Sequence, residues 1–138
     1  MSQIYSHPKR KTKVVFVQLG SPSEPTTKAL RKYLRKFLGD PRVVDINPWL
    51  WKIILNLFVL PFRPKKSAKL YARIWDGSSF PLITNTRDFT NNVREELKKI
   101  DPNGHVEVNH AFLLSPPYVN EVYDSWEDDL KKGVGATK

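Results

Sequence analysis

Two kinds of apolar run alternate along this 138-residue chain, and their spacing predicts most of its elements. Lys13-Val-Val-Phe-Val-Gln-Leu-Gly20 is almost continuously apolar and closes on Gly-Ser-Pro, the pattern of a strand buried on both faces that ends in a loop. Turn and cap residues follow in Ser21-Pro-Ser-Glu-Pro-Thr-Thr27, and then Leu30, Tyr33, Leu34, Phe37 and Leu38 recur at helical spacing. The opposite face of that helix carries Lys28, Arg31, Lys32, Arg35 and Lys36, most simply a solvated surface. Gly39-Asp-Pro-Arg42 breaks the helix. A second helix is expected from a cap at Ser67, with Leu70, Tyr71, Ile74 and Trp75 on one face, ending at Asp76-Gly-Ser-Ser-Phe-Pro81. A long helix over about 82–100 follows, with Ile83, Phe89, Val93, Leu97 and Ile100 as its buried stripe. Asp101-Pro-Asn-Gly104 is a turn, and the alternation from His105 to His110 reads as a second strand running on to Leu114. After Ser115-Pro-Pro117 a last helix turns Val119, Val122, Trp126 and Leu130 inward and Glu121, Asp124, Glu127, Asp128 and Asp129 outward.

One stretch fits neither pattern. From Pro48 to Phe62 the only polar residues are Lys52 and Asn56, and the basic cluster Arg63, Lys65, Lys66 and Lys69 follows at once. About fifteen apolar residues fall short of the roughly twenty that cross a bilayer as a helix, so the stretch should cover something. It reads either as a core helix or as an amphiphilic lip over residues 47–66, a flap meeting a large flat ligand or a membrane interface, with the cations facing carboxylates or lipid phosphates.

The order strand, helix, lip, helix, helix, strand, helix is the grammar of an α/β fold, an open, mostly parallel sheet with helices on its faces. Residues 1–12 read as a basic flexible tail and 13–138 as one domain. The segment from Lys131 to Lys138 resembles a helix end approaching a further strand, so the sheet is expected to be incomplete at the C-terminus. Charge sharpens this picture. Residues 1–75 hold 16 Lys and Arg against 3 Asp and Glu, whereas the remainder holds 7 against 11, so the lip half is the basic half and favours an acidic partner. Nucleic acid is not the expected partner, because no recognition motif is present and it would leave the lip unexplained. The absence of cysteine excludes disulfides and thiolate chemistry, and the N-terminus lacks an apolar segment of signal-peptide length, so a cytoplasmic protein is expected.

Catalytic motifs do not stand out. His105 and His110 are five apart on one strand and fall on opposite faces, a poor pair for a metal, and His7 lies in the tail. On the residues alone neither a catalytic group nor a metal ligand is assigned.

Four stretches, in this order and spacing, carry a resemblance to one family: Val17-Gln-Leu-Gly-Ser-Pro22, the run from Tyr33 to Asp45, the run from Leu60 through Arg63-Pro-Lys-Lys66 to Trp75, and Ser79-Phe-Pro-Leu82. Together they resemble the N-terminal portion of ferrochelatase, over roughly residues 12–138. The resemblance implies a Rossmann-like, chelatase-type half-domain, the N-terminal half of an enzyme that inserts ferrous iron into protoporphyrin IX. Iron and porphyrin are then substrates, and no tightly bound cofactor is implied. It also implies a partner, the C-terminal half, which in the family carries the metal-handling His and Glu, so this chain alone should be inactive and holds no catalytic residue. The lip corresponds to the porphyrin entrance, which in membrane-associated members faces the bilayer, implying peripheral membrane contact. By position, Gln18, Leu19 and Gly20 correspond to the porphyrin-touching loop, and Leu70, Tyr71, Ser79 and Phe80 to further porphyrin contacts. A porphyrin is an apolar disc with propionates at its edge, so Trp51 of the lip is assigned to the ring and Arg63, Lys65 and Lys66 to the carboxylates. Gln18 replaces the usual Asn. Leu19 stands where coproporphyrin-type members carry an iron-ligating Tyr, which places the chain nearer the protoporphyrin type. The alternative to an enzyme half is a non-catalytic half-domain that binds tetrapyrroles or a membrane surface.

Overall fold

The computed structural model describes residues 11–134, with side chains to Glu127. The expected tail, apart from its last two residues, lies outside the described residues, as do His7, the segment after Val134, and the side chains of Asp128, Asp129 and Leu130. The elements are β1 (Thr12–Gln18), α1 (Thr27–Gly39), α2 (Pro48–Ile54), a π-helical turn (Leu55–Val59), α3 (Leu60–Tyr71), a 3-10 turn (Ala72–Ile74), α4 (Pro81–Ile100), β2 (Val106–Phe112) and α5 (Val119–Val134). This is the α/β order the sequence predicts.

β1 and β2 pair in parallel, from Thr12 opposite Val106 to Gln18 opposite Phe112. Successive side chains leave a strand on opposite faces, so the two faces acquire different neighbours. Val15 and Ala111 face α5 and pack on Val122 and Trp126. Glu107 accepts a hydrogen bond from the Trp126 indole at 3.0 Å and pairs with Lys13 at 3.5 Å, whose ammonium also lies 5.0 Å from the Trp126 ring. Phe16 faces the other way and meets Phe89 of α4 edge-on at 5.0 Å. Arg94 of α4 clamps the β2 backbone, its Nε donating to the Val108 carbonyl at 2.7 Å and its guanidinium to the Asn109 side chain. The turn before β2 forms as predicted. Gly104 adopts a φ of 65°, and the Asp101 carboxylate accepts from the Val106 amide at 2.7 Å.

Several expectations need correction. β1 is only partly buried, because among the described residues it has a single strand neighbour, and Val17 is exposed at its open end. On α4 the buried positions are Thr86 and Thr90, whereas Phe89 and Ile100 are exposed. Each threonine hydroxyl donates to the carbonyl one turn back, Thr86 to Leu82 and Thr90 to Thr86, both at 2.7 Å, so its polar atom is satisfied within the helix and the residue can be buried like a valine. Ser67 caps nothing: it lies inside α3, and the helical run is unbroken from Pro48 to Tyr71. Pro61 lies inside that run, directly after the π-helical turn Leu55–Val59, where the regular i−4 ladder is already interrupted. Ile74 and Val119 point outward and are exposed.

The lip is therefore helical, and its two faces divide the two readings between them. Leu55 and Leu60 join Leu38 of α1 in a core cluster that also takes in Leu34, Phe37, Val44, Trp51 and Val59. Pro64 and Ala68 continue this buried side along α3 at helical spacing. On the outer side Trp49 is 80% exposed, Phe58 63% and Phe62 72%, with Leu50, Ile53 and Leu57 beside them. Among the described residues no helix is long and apolar enough to cross a membrane.

Candidate functional site

Parallel strands leave their unpaired backbone ends at one edge, and ligand clefts in open α/β sheets form there. The ladder continues past both strands: the Leu113 amide donates to the Gln18 carbonyl and the Leu114 amide to the Leu19 carbonyl, each at 3.0 Å. The chain then has to turn away from β2, and Gly20 makes that turn with a φ of 93°, in the left-handed region that disfavours a side chain. A Cβ at Gly20 would overlap the Ser115 hydroxyl and stand 3.1 Å from the Phe112 Cβ. The Ser115 hydroxyl is held in place by accepting from the Ser21 amide at 3.3 Å. α1 starts immediately afterwards, with the Thr26 hydroxyl accepting from the Ala29 amide as its N-cap.

Tyr33, one and a half turns into α1, donates its hydroxyl to the Gly20 carbonyl at 3.2 Å. Burial, aided by the neighbouring Tyr71 phenol, pushes its pKa up to about 12, so it remains a donor throughout the neutral range. An aromatic series extends on both sides of it. Phe37 stacks on Tyr33 with centroids 6.3 Å apart. Phe80, only 2% exposed, meets Tyr71 edge-on at 5.4 Å and Trp75 at 4.6 Å. At the far end of α1 the Trp51 indole donates to the Leu38 carbonyl at 2.6 Å, next to Phe37 in the lip cluster. Trp75, Phe80, Tyr71, Tyr33 and Phe37 thus form an apolar wall below the strand ends, and Trp51 lies beyond it, lining a different cavity on the lip side.

Against this wall lies an open cavity of about 340 Å³, between α1, the 75–80 segment and the 114–118 segment. Trp75, Phe80 and Ile83 supply its apolar lining, while Ser21, Ser23, Ser79 and Ser115 present hydroxyls and Lys32 and Lys36 stand at the rim. Lys36 donates to the Tyr118 hydroxyl at 3.1 Å. The 75–80 segment owes its shape to Asp76, whose carboxylate accepts from the amides of Ser79 at 2.6 Å and Ser78 at 2.7 Å, while Gly77 adopts a φ of 98°. Those two amides hold the Asp76 carboxyl below its usual range. A depressed carboxylate pKa contributes stability above the unfolded value of 3.8 that is lost as pH falls through the lower folded value. Acidification below the ordinary carboxylate range, or Asp76→Ala at neutral pH, is expected to raise amide exchange at Ser78 and Ser79 selectively. Unchanged protection of both amides in Asp76→Ala would show that the segment is shaped by Phe80 packing instead.

The structure brings together four of the site residues assigned from sequence and leaves the others apart. Gly20, Tyr71, Ser79 and Phe80 converge around Tyr33. Gln18 and Leu19 lie exposed at the end of β1, and Leu70 is 54% exposed on the outer side of α3. Trp51 packs in the lip cluster and does not line this cavity. Arg63, Lys65 and Lys66 are exposed, and they do not form one cluster. At 3.6 residues per turn Lys65 points about 160° away from Arg63, whereas Arg63, Lys66 and Leu70 share a flank. Tyr33, Trp75, Lys32, Lys36 and Ser115 were not assigned from sequence. Tyr33 reads there as an ordinary helix core position, and only its placement below the Gly20 turn distinguishes it. The two histidines follow the alternation. His110 lies on the Phe16 face, its pKa lowered by burial and by Arg94 and Arg87, and its Nδ1 finds no partner. Among the described residues no three of His, Asp and Glu gather where a metal ion could be held.

A family model described as Ferrochelatase matches residues 11–134. A ferrochelatase of Idiomarina loihiensis is 38% identical over 121 residues, 88% of this chain and 32% of that protein. A coproporphyrin III ferrochelatase of Enterococcus faecalis is 40% identical over 116 residues, 84% of this chain and 35% of that protein. A ferrochelatase of Psychrobacter cryohalolentis is 62% identical over a shorter stretch of 66 residues, 48% of this chain and 20% of that protein. The chain thus spans about a third or less of the length of these relatives.

Proposed function

The chain belongs to the ferrochelatase family, and we propose that it forms the porphyrin-cradling N-terminal half of an enzyme that inserts ferrous iron into protoporphyrin IX. The observation that carries this reading is the aromatic wall of Trp75, Phe80 and Tyr71 beside Tyr33 and Phe37, of which Trp75, Phe80 and Tyr33 line the cavity. A porphyrin offers a wide apolar disc, and apolar transfer scales with the area covered, so a long wall suits it better than a compact pocket would. The cavity of about 340 Å³ receives an edge of the disc, and the family's second half covers the remainder. The propionates meet cations at that edge. Lys32 and Lys36 border the cavity itself, while Arg63 and Lys66 flank α3 farther out and Lys65 points elsewhere.

Metal insertion also needs a positioned acceptor for the pyrrole protons. His110 sits against Phe16 and Phe112 on the sheet face toward α4, turned from the cavity, so the acceptor is assigned to the second half. The names of the matched relatives support the reaction class, and both protoporphyrin and coproporphyrin remain candidate substrates to be compared directly.

The test mixes the chain with protoporphyrin, follows the Soret band, and then assays zinc insertion with and without a separately expressed second half. Binding without turnover by the chain alone, and turnover on complementation, are expected. Lys32→Gln with Lys36→Gln should weaken a dicarboxylate porphyrin several-fold, each exposed pair contributing about 0.2–1 kcal/mol, and leave a carboxyl-free porphyrin unaffected. Robust insertion by the chain alone would overturn the assignment of the acceptor to the second half. An unshifted Soret band would overturn the cradle.

A further inference from the structure

The outer end of α1 and the inner face of α2 enclose a second cavity, larger than the first and separate from it. It measures about 640 Å³ and is lined by Val44, Ile46, Pro48, Trp51 and Leu55, with Arg35 and Lys52 at its border. Two shallower depressions open beside it, and Arg35 borders all three. One adds Arg31 next to Leu60 and Pro61, the other adds Lys36 and Arg42. An apolar trough therefore opens under a rim of cations. Among the described residues Arg31, Arg35, Arg42 and Lys52 form no ion pair; the one carboxylate that borders the depressions, Asp40, accepts from the Arg42 amide and leaves the rim cationic on balance.

Helix α2 gives the trough its setting. Pro48, Trp51 and Lys52 face the cavity, while Trp49, Leu50 and Ile53 on the opposite side are exposed, so the helix is apolar nearly all round. A helix of that kind at a protein surface, seven residues long and joined to an exposed Leu57 and Phe58, fits the boundary of a bilayer better than water. With the outer face of α2 in the acyl boundary, the trough beneath it opens at headgroup depth.

We propose that this trough is a phospholipid site, taking one acyl chain of an anionic lipid along Val44, Trp51 and Leu55 and placing its phosphate between Arg35 and Lys52. The site is independent of the porphyrin cradle: Arg35 and Lys52 do not border the first cavity, and the proposal stands whether or not porphyrin binds there. Along α1, Lys32 borders only the first cavity and Arg31 and Arg35 border only the lip side, with Lys36 between the two. The ligand comes from a bilayer, since the exposed face of α2 leads into one and a free fatty acid would have no use for that face.

Trp51 lines the trough and reports on it directly. The experiment incubates the chain with vesicles of phosphatidylglycerol, or of phosphatidylcholine alone, carrying lipids brominated along the acyl chain. Tryptophan quenching is followed, and lipid retained after detergent extraction is counted by native mass spectrometry. The expected result is quenching with phosphatidylglycerol vesicles, loss by Trp51→Phe of the part that remains in Trp49→Phe, and one retained lipid per chain. Arg35→Gln with Lys52→Gln should weaken this lipid retention by roughly thirtyfold. Lys65→Gln with Lys69→Gln, which removes equal charge outside the trough, should weaken it less than threefold. Circular dichroism of each variant confirms that the fold is kept. Equal losses for both pairs would reduce the effect to general surface attraction and overturn the site. Quenching confined to Trp49 would leave the trough empty and overturn it as well. Laurate binding in solution with the same Arg35 dependence, but without phospholipid retention, would overturn the bilayer source.

Discussion

Gly20→Ala is expected to destabilise the chain by about 3 kcal/mol, more than any surface substitution in the molecule. Two costs combine at this position. A φ of 93° places an alanine in a region that costs of order 1–3 kcal/mol for a residue with a side chain. The new methyl also overlaps the Ser115 hydroxyl and crowds Phe112, both buried, so neither can swing into solvent. The same displacement would pull the Gly20 carbonyl from the Tyr33 hydroxyl and the Ser21 amide from Ser115, so the floor of the cavity is lost together with stability. Urea denaturation of Gly20→Ala, Ser115→Ala and the double variant measures this. Removing the Ser115 hydroxyl should recover part of the loss, because the overlap is relieved while the backbone strain stays. A loss below about 0.5 kcal/mol in the single variant would mean that the turn has another conformation of nearly equal energy.

Much of this arrangement is legible in the residues. The Thr26 cap, the Gly104 turn and the helical spacing of Leu30, Tyr33 and Leu38 are local signals, and local signals determine helices and turns. The lip is legible as an anomaly, since few surface segments concentrate Trp49, Trp51, Phe58 and Phe62 in so short a span. What escaped the sequence is what depends on the third dimension. Thr86 and Thr90 look polar, but hydrogen bonds within α4 hide their hydroxyls, so the buried stripe is shifted from Phe89 toward them. Arg63, Lys65 and Lys66 look like one cluster because they are close in sequence, yet a helix spreads neighbours around its axis. Ser67 looks like a cap because a hydroxyl precedes the apolar positions Leu70, Tyr71, Ile74 and Trp75, whereas the helical run begins at Pro48 and continues past both Pro61 and Pro64.

The candidate site divides in the same way. Ser79 and Phe80 are found by resemblance, and the structure adds why they are held there, through Asp76 and the Tyr71 and Trp75 rings. Tyr33, Lys32 and Lys36 carry no motif. They become site residues only because α1 runs past both the Gly20 turn and the 114–118 segment, a juxtaposition across some ninety positions of sequence.

Phe80 is where stability and binding meet, and its substitution separates them. Phe80→Ala removes a ring that is 2% exposed and leaves Tyr71 and Trp75 without their common partner, a change that should cost about 3 kcal/mol, the lower end for Phe→Ala because the space opens into the cavity. Phe80→Leu keeps most of the volume and should cost about 1–3 kcal/mol, chiefly the two edge-to-face contacts worth about 0.5–1.5 kcal/mol each that help hold the wall flat. The leucine variant therefore remains folded and tests the wall alone. Its affinity for protoporphyrin is expected to fall about tenfold, with the same loss for a carboxyl-free porphyrin, because the disc and not the propionates feels the change. Leu19→Ala at the exposed end of β1 is the comparison. If it abolished porphyrin binding while Phe80→Leu left binding intact, the disc would lie on the strand-end side of Gly20, and the wall from Trp75 to Phe37 would be core alone.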